Sequence, residues 1–382
     1  MRVPPASISF SNEDISNITE EISECLRTGA LTLGQNGRQF EEEFAALCRV
    51  PYAVAVNSGT SALEIILRAI GVQNREVIVP TNTFFATAAA VIHAGGRVRF
   101  ADCEPGSFAL DLGSLRECLN ANTAAIIVVH IGGLITPRIS EISDVCKQVG
   151  VPLIEDAAHA QGSTLGGRPA GSFGVAAAFS FYPTKVMTSC EGGMITTSDE
   201  AIYHEALIYR DQGKEGFTTN YHVRLGYNWR MSEPHAIIGR AQLRRLPEFI
   251  QRRRRIADVY DRRLSGRREG VRPLTVPRGV RSNYYKYIAL LDPAIDRAAL
   301  KTALRDKFDV GLSGEVYETP CHLQPVFRGY PAGRLLQAER ICAEHICLPI
   351  SARMESEDAE YVVDSLDHAV ELMQTANAAV GD

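Results

Sequence analysis

Two side chains of opposite charge stand out from apolar surroundings. Asp156 ends an apolar run at residues 151–154 that closes in the acidic pair Glu155 and Asp156, and Lys185 follows a second apolar run at 175–181 and the turn Tyr182, Pro183, Thr184. An apolar run ending in carboxylates is how a buried parallel strand delivers an acid to its C-terminal edge, where open α/β sheets bind ligands. A lone lysine in an uncharged stretch is costly unless it is used, because burial lowers the pKa of its amine and makes it a nucleophile. The use that best fits a desolvated lysine facing a carboxylate is a Schiff base to an aldehyde cofactor. Pyridoxal 5′-phosphate wants such a pair, a lysine on its aldehyde and an aspartate on its ring nitrogen, holding the proton that makes the ring an electron sink.

The elements that must position this pair follow from periodicity. From residue 52, strand patterns at 53–56, 76–79, 97–101, 124–129 and 151–154 alternate with helical patterns at 62–70, 84–93, 112–119 and 139–149. Such alternation predicts a parallel or mostly parallel sheet covered on both faces. Ahead of it, Ile15, Ile18, Ile22 and Leu26 lie at helical spacing between a cap at Asn12 and a stop at Gly29. Gly34 and Gly37 then make a loop before a helix with Phe40, Phe44 and Leu47 on one face. Beyond Lys185, residues 199–211 read as a helix, a polar Gly-rich loop follows, and a long helical pattern covers 234–264. A strand at 284–291, a helix at 295–307, a loop at 313–331 and two further helices predict a small α+β domain. The expected division is an N-terminal helix in 1–30 packing on the small domain, a large domain at 31–250 and the small one at 251–382.

Several further residues fall at the ends of these elements. Asn57, Ser58, Gly59, Thr60 and Ser61 follow the first strand and open a helix, where free backbone N–H groups and the helix dipole suit a phosphate. A plain Ser-capped turn is the alternative for that stretch alone. No G-x-G-x-x-G or G-x-x-x-x-G-K nucleotide loop follows any strand. Phe84 starts a helix at the same sheet edge as Asp156 and is either a stacking ring or core. His130 ends a strand and reads as structural. Tyr317, His322 and Gln324 sit in a Pro-bounded loop suited to hydrogen-bonding the hydroxyls of a sugar or cyclitol. Cys321 and His322 lack partners at metal-ligand spacing, so no metal is expected.

Composition narrows the class. The 382 residues, 45% hydrophobic and 22% charged, fit two folded domains. The start of the chain lacks signal-peptide character and no run spans a membrane, so a cytoplasmic protein is expected. Nine cysteines without a C-x-x-C pair read as reduced thiols. The net charge of −5 gives no drive toward nucleic acid or membrane, and the arginines of 244–263 read as a solvated helix face.

The runs EDAAHAQGS, GRPAGSFG, FSFYPTK and EGGMITT, with GYNWRMSEPHA further on, resemble the DegT/DnrJ/EryC1/StrS family of pyridoxal-phosphate sugar aminotransferases over nearly the whole chain. The resemblance implies an α/β, aspartate-aminotransferase-like (fold type I) large domain with a small C-terminal one. It implies Lys185 as the Schiff-base lysine, Asp156 as the ring-nitrogen partner, Phe84 stacked on the ring and His159 near the phenolic oxygen. Ser180, with Thr60 and Ser61, would hold the phosphate, and Asn228 would reach the phosphate of a neighbouring subunit, so that a homodimer shares its active sites. It also implies glutamate or glutamine as amino donor and a keto group on a nucleotide-linked deoxysugar or related cyclitol as acceptor. Two alternatives stand beside this. A dehydratase of the same fold carries His in place of the lysine, which Lys185 disfavours, and a cofactor-binding regulator would lack catalysis.

Overall fold

The computed structural model describes residues 1–216, 218–267, 270–330 and 332–380. Phe217 in the Gly-rich loop and Pro331 in the loop after Tyr317 therefore lie outside the described residues. In chain order the first half forms α1 (Asn12–Thr28), α2 (Gln35–Cys48), β1 (Tyr52–Val56), α3 (Gly59–Ile70), β2 (Glu76–Pro80), α4 (Phe85–His93), β3 (Arg97–Ala101), α5 (Leu112–Cys118), β4 (Thr123–Val129), α6 (Ile139–Val149) and β5 (Leu153–Asp156). After the short strands β6 (Thr164–Leu165) and β7 (Arg168–Pro169) come β8 (Ala176–Ser180), β9 (Gly193–Thr197), α7 (Glu200–Arg210) and the long α8 (Glu233–Leu264).

The central sheet has seven strands in the order β1-β9-β8-β5-β4-β2-β3. Its pairings are parallel except those of β9, which runs against both β1 and β8. The sheet is thus mostly parallel, and its one reversed strand is a feature that periodicity did not reveal. That reversal matters for the site, because β8 and β9 form a hairpin whose connecting loop, residues 181–192, carries Lys185 across the sheet's edge. β9 begins at Gly193, where an added Cβ would lie 2.2 Å from the Ser58 carbonyl oxygen, so the hairpin and the turn into α3 are in backbone contact.

Strand alternation sorts the side chains of β8 and its extension. Phe179 and Phe181 enter the core, while Ser180 between them faces the other way. Phe44 of α2 meets Phe179 and Phe181 edge to face, with ring centres 4.8 and 5.4 Å apart, and all three rings are fully buried. This aromatic cluster fixes the strand that leads to the Lys185 loop.

The second half builds a smaller antiparallel sheet from β10 (Val271–Pro273), β12 (Tyr287–Leu291) and β13 (His345–Leu348), with α9 (Arg297–Phe308), α10 (Leu336–Ala343) and α11 (Ser356–Val380). β11 (Val280–Arg281) instead joins the β6–β7 ribbon of the first half. Helix α8 runs through both units: Leu246 and Phe249 pack with the aromatic cluster, whereas Ile256, Tyr260 and Leu264 pack with β12, α9 and α11. Pro247 lies inside this helix and removes one rung of its hydrogen-bond ladder. Among the described residues no helix is long and apolar enough to cross a membrane.

Three local expectations are revised. The cap of α1 is Ser11 and not Asn12: its hydroxyl accepts the Asp14 N–H at 3.0 Å, and the Asp14 carboxylate accepts the Ser11 N–H at 2.7 Å. Helix α1 lies along α8, with Asp14 paired to Arg245 at 2.6 Å, and it is the chain before it that meets the second half, Val3 bridging to Val310. The arginines of α8 form a solvated face only in part, with Arg244 and Arg255 exposed and others engaged. Arg262 and Arg263 pair with Glu360 and Asp364 of α11, and buried Arg253 donates to the carbonyls of Tyr284 and Ile350.

Phe44→Ala should leave a cavity that rigid neighbours cannot close and destabilise the protein by about 3–5 kcal/mol. Urea denaturation of wild type and variant measures it; a loss below about 1 kcal/mol would show that the cluster does not support β8.

Candidate active site

A cleft of about 510 Å³ opens at the C-terminal edge of the sheet. It is lined by Ser58, Gly59 and Thr60 at the start of α3, by Phe84, Asp156, His159, Ser180 and Lys185, and by Tyr285, Lys286, Glu315 and Tyr317 from the second half. A larger hollow of about 640 Å³ lies between α2 and α7, where Glu41 is paired with Arg210 and Asp211 with Lys214. The chemistry is concentrated in the smaller cleft.

Strand β5 points its two acids to opposite sides. Glu155 accepts the backbone N–H groups of Gly171, Phe173 and Gly174 and bonds His130 Nε2 at 2.9 Å, so this buried pair anchors the 171–174 turn and His130 is structural. Asp156 faces the cleft. Its Oδ2 accepts the Thr87 hydroxyl at 2.6 Å and its Oδ1 the Ala158 N–H at 3.1 Å, and Thr87 in turn meets the Thr83 hydroxyl at 2.7 Å. Burial pushes the Asp156 carboxyl up, opposed by these hydrogen bonds and by the charge of Lys185.

Lys185 sits half-buried with its Nζ 4.8 Å from the centre of the Tyr285 ring. Burial lowers its amine to about 8, with Asp156 resisting the shift and Lys286 adding to it. His159 packs against Tyr285 with ring centres 4.3 Å apart and planes tilted by 35°, and its Nδ1 accepts the Gly132 N–H, which leaves the ring proton on Nε2. Burial and the two nearby lysines hold the His159 imidazole neutral, well below its usual range.

The opposite end of the cleft is a helix N-terminus. Ser58 caps α3 by accepting the Ser61 N–H on its hydroxyl, and its carbonyl takes the Ala62 N–H, so the Gly59 and Thr60 N–H groups have no partner within the helix. A Cβ on Gly59 would lie 2.9 Å from that of Ser180, so only glycine lets the turn close on the serine. The Ser61 hydroxyl is committed to Asn57 Oδ1 and the Ser58 carbonyl, and Ser61 lies outside the cleft.

Of the residues singled out from sequence, Thr60, Phe84, Asp156, His159, Ser180, Lys185 and Tyr317 come together. Phe84 is 60% exposed at the mouth, not core. The Tyr317 ring lies nearly parallel to that of His159, with ring centres 6.2 Å apart. His322 is a correction: its ring bonds the Thr81 hydroxyl at 2.8 Å and Glu339 at 3.3 Å, tying the loop to the end of β2 away from the cleft. Gln324 likewise turns to the Thr319 carbonyl. Asn228 is exposed and does not line the cleft of its own chain.

Sequence reasoning missed Thr87, Asn283, Tyr285, Lys286 and Glu315. Asn283 is fully buried and its amide donates to the carbonyls of His159 and Gln161, which fastens the second half to the turn after Asp156. Polar residues placed just before a strand, as in NYYKY, were the available signal.

The donor set fits pyridoxal 5′-phosphate. A helix N-terminus with Thr60 and Ser180 suits its phosphate, a buried carboxylate its ring nitrogen, an exposed ring its face and a lowered amine its aldehyde. An amine is nucleophilic only when unprotonated. In protein stripped of cofactor, trapping of a small aldehyde on Lys185 by borohydride should therefore rise with pH through a midpoint near 8, and peptide mapping should lose the adduct in Lys185→Ala. A midpoint near the ordinary 10.5 would show that the cleft does not desolvate the amine.

Comparison with known proteins agrees with this geometry. The sequence profile of the DegT/DnrJ/EryC1/StrS aminotransferase family matches residues 12–367. The pleiotropic regulatory protein of Geobacillus stearothermophilus is 33% identical, covering 96% of this chain and 98% of that protein. GDP-perosamine synthase of Caulobacter vibrioides is 31% identical, covering 96% and 99%. The solved structure of DesI in the presence of its TDP-sugar product superposes with a TM-score of 0.89 at 30% identity, covering 99% of this chain and 94% of that one. The chain belongs to the DegT/DnrJ/EryC1/StrS family and is a pyridoxal-phosphate-dependent aminotransferase.

Proposed function

We propose that the protein moves the amino group of glutamate or glutamine to a keto group on a nucleotide-linked deoxysugar or a related cyclitol. The observation that carries this reading is the convergence of Lys185, Asp156 and the α3 N-terminus in one cleft. The acceptor class is supported by relatives named for sugar amination, among them GDP-perosamine synthase and a dTDP-4-dehydro-2,3,6-trideoxy-D-glucose 4-aminotransferase of Saccharopolyspora spinosa. The regulatory name of the Geobacillus relative belongs to that protein, and a lysine lowered to about 8 beside a buried carboxylate favours catalysis here.

The bound cofactor supplies an aldehyde for covalent attachment and a ring that accepts electrons. Lys185 would hold that aldehyde and, once displaced by the donor's amine, would carry the proton between the donor's α-carbon and the cofactor's C4′ atom. Asp156 keeps the proton on the ring nitrogen, and Thr87 and the Ala158 N–H fix the orientation of its carboxylate. The N–H groups of Gly59 and Thr60, with Ser180, hold the phosphate. Neutral His159 offers a ring N–H without adding a second positive charge beside Lys185. Incubating holoenzyme with glutamate and candidate keto-sugars, and following 2-oxoglutarate and the aminated sugar by mass spectrometry, tests the reading. Formation of neither product across 3-keto and 4-keto nucleotide sugars and cyclitol ketones would overturn it.

The active sites are shared across a homodimer. Asn228 lies in an exposed loop outside its own cleft, and the same loop leaves Tyr221, Leu225 and Tyr227 exposed at 69%, 90% and 47%, an apolar surface suited to contact with a second copy. Mixed dimers of inactive Lys185→Ala and inactive Asn228→Asp protomers should regain activity, because one site then holds both lesions and the other neither. No recovery after verified subunit exchange would assign Asn228 to its own chain or to no site.

A further inference from the structure

The cleft has an unusual charge inventory for an enzyme that must seat an amino acid. Its charged lining residues among those described are Asp156, Lys185, Glu191, Lys286 and Glu315, with no arginine. An α-amino acid brings a carboxylate attached directly to the carbon that Lys185 must reach. Such a group, drawn out of water with no opposite charge nearby, is strongly disfavoured. Lys185 is already committed to the aldehyde and to the proton. That leaves Lys286.

Its position suits the task. Lys286 immediately precedes β12, and its Nζ lies 5.6 Å from the centre of the Tyr285 ring, the same ring that Lys185 Nζ approaches to 4.8 Å. Two of its three hydrogens are directed to Ser313, one to the carbonyl and one to the hydroxyl at 3.2 Å, which steadies the ammonium and leaves one hydrogen to donate. No acid on the cleft wall claims it. Glu315 receives Lys301 on both oxygens, at 2.8 and 3.0 Å, and Asp156 receives Thr87 and Ala158. The diphosphate of a nucleotide-linked acceptor lies several bonds from the carbonyl that reacts, too far to need a cation beside Lys185.

We propose that Lys286 is the docking point for the α-carboxylate of the amino donor. This rests on the reading that the donor is an α-amino acid. A neutral side chain at 286 then penalises a donor only in so far as it carries that carboxylate, so glutamate can be set against 4-aminobutyrate, which is glutamate without it.

The test follows conversion of the cofactor's absorbance in holoenzyme mixed with each amine, without acceptor. Lys286→Met should slow glutamate at limiting concentration by about ten- to a hundred-fold, the range for one lost charge-assisted hydrogen bond, and leave 4-aminobutyrate nearly unchanged. Affinity for 2-methylglutamate, which has no α-proton to lose, should weaken by a similar factor in a spectral titration, and Lys286→Arg should restore part of both losses. Where Met disturbs the loop at Ser313, Lys286→Gln keeps a donor there and gives the same comparison. Equal loss for glutamate and 4-aminobutyrate would mean that Lys286 only supports the loop, and unchanged glutamate kinetics would place the carboxylate elsewhere; either overturns the proposal alone. Wild-type holoenzyme that reacts with no α-amino acid would instead overturn the donor reading.

Discussion

A carboxylate buried at the end of a central strand is unfavourable unless the surroundings answer its charge, and the surroundings of Asp156 do so only in part. Two hydrogen bonds and a nearby lysine oppose the burial, yet the carboxyl is still held above its ordinary range. Lys185 is under the same pressure from the other side, lowered to about 8. Each group is therefore left short of the partner it would have in an ordinary surface ion pair. A cationic ring nitrogen supplies the counter-charge Asp156 lacks, and an aldehyde consumes the amine that Lys185 is ready to expose. The site is built around a ligand of one electrostatic shape.

Keeping that tension requires two structural units to agree. The first contributes the acid, the lysine loop and the α3 turn; the second contributes Tyr285, which stands against both His159 and Lys185. Asn283 secures the joint. With its amide donated to carbonyls of the 159–161 turn and its Oδ1 accepting the Tyr285 N–H, it fixes the ring relative to the acid that ends β5. Gly133 makes room for it, since a Cβ there would lie 2.0 Å from Asn283 Oδ1, and its φ of +96° is itself a glycine conformation.

Much of this was legible in the chain because the signals were local. The apolar run into Asp156, the isolated Lys185 and the hydroxyl-rich turn at 57–61 each state their role within a few residues, and the alternation of patterns is enough for a mostly parallel sheet. What failed to show depends on distant partners. Ser61 looks like a phosphate ligand until the capping geometry commits its hydroxyl to Asn57, and His322 looks free until Thr81 and Glu339 take its ring. The reversal of β9 is invisible because GMITT has the same apolar character in either direction. Arg262 and Arg263 appear solvated because their acids, Glu360 and Asp364, lie about a hundred residues later, in α11. Thr87 sits in an alanine-rich helix where nothing marks it, and only the approach of β5 turns it toward Asp156.

Helix α8 passes without interruption from the core beneath the lysine loop to the core of the second unit. Two bodies threaded on one rod cannot swing apart freely, because a rotation would have to bend it, and the missing rung at Pro247 is the natural place for any give. The gap between Lys185 and the wall at Lys286 is accordingly held at a nearly constant span. An enzyme of this build works like a fixed calliper. Phe84 and Tyr182, both open to solvent, stand at the mouth of that span.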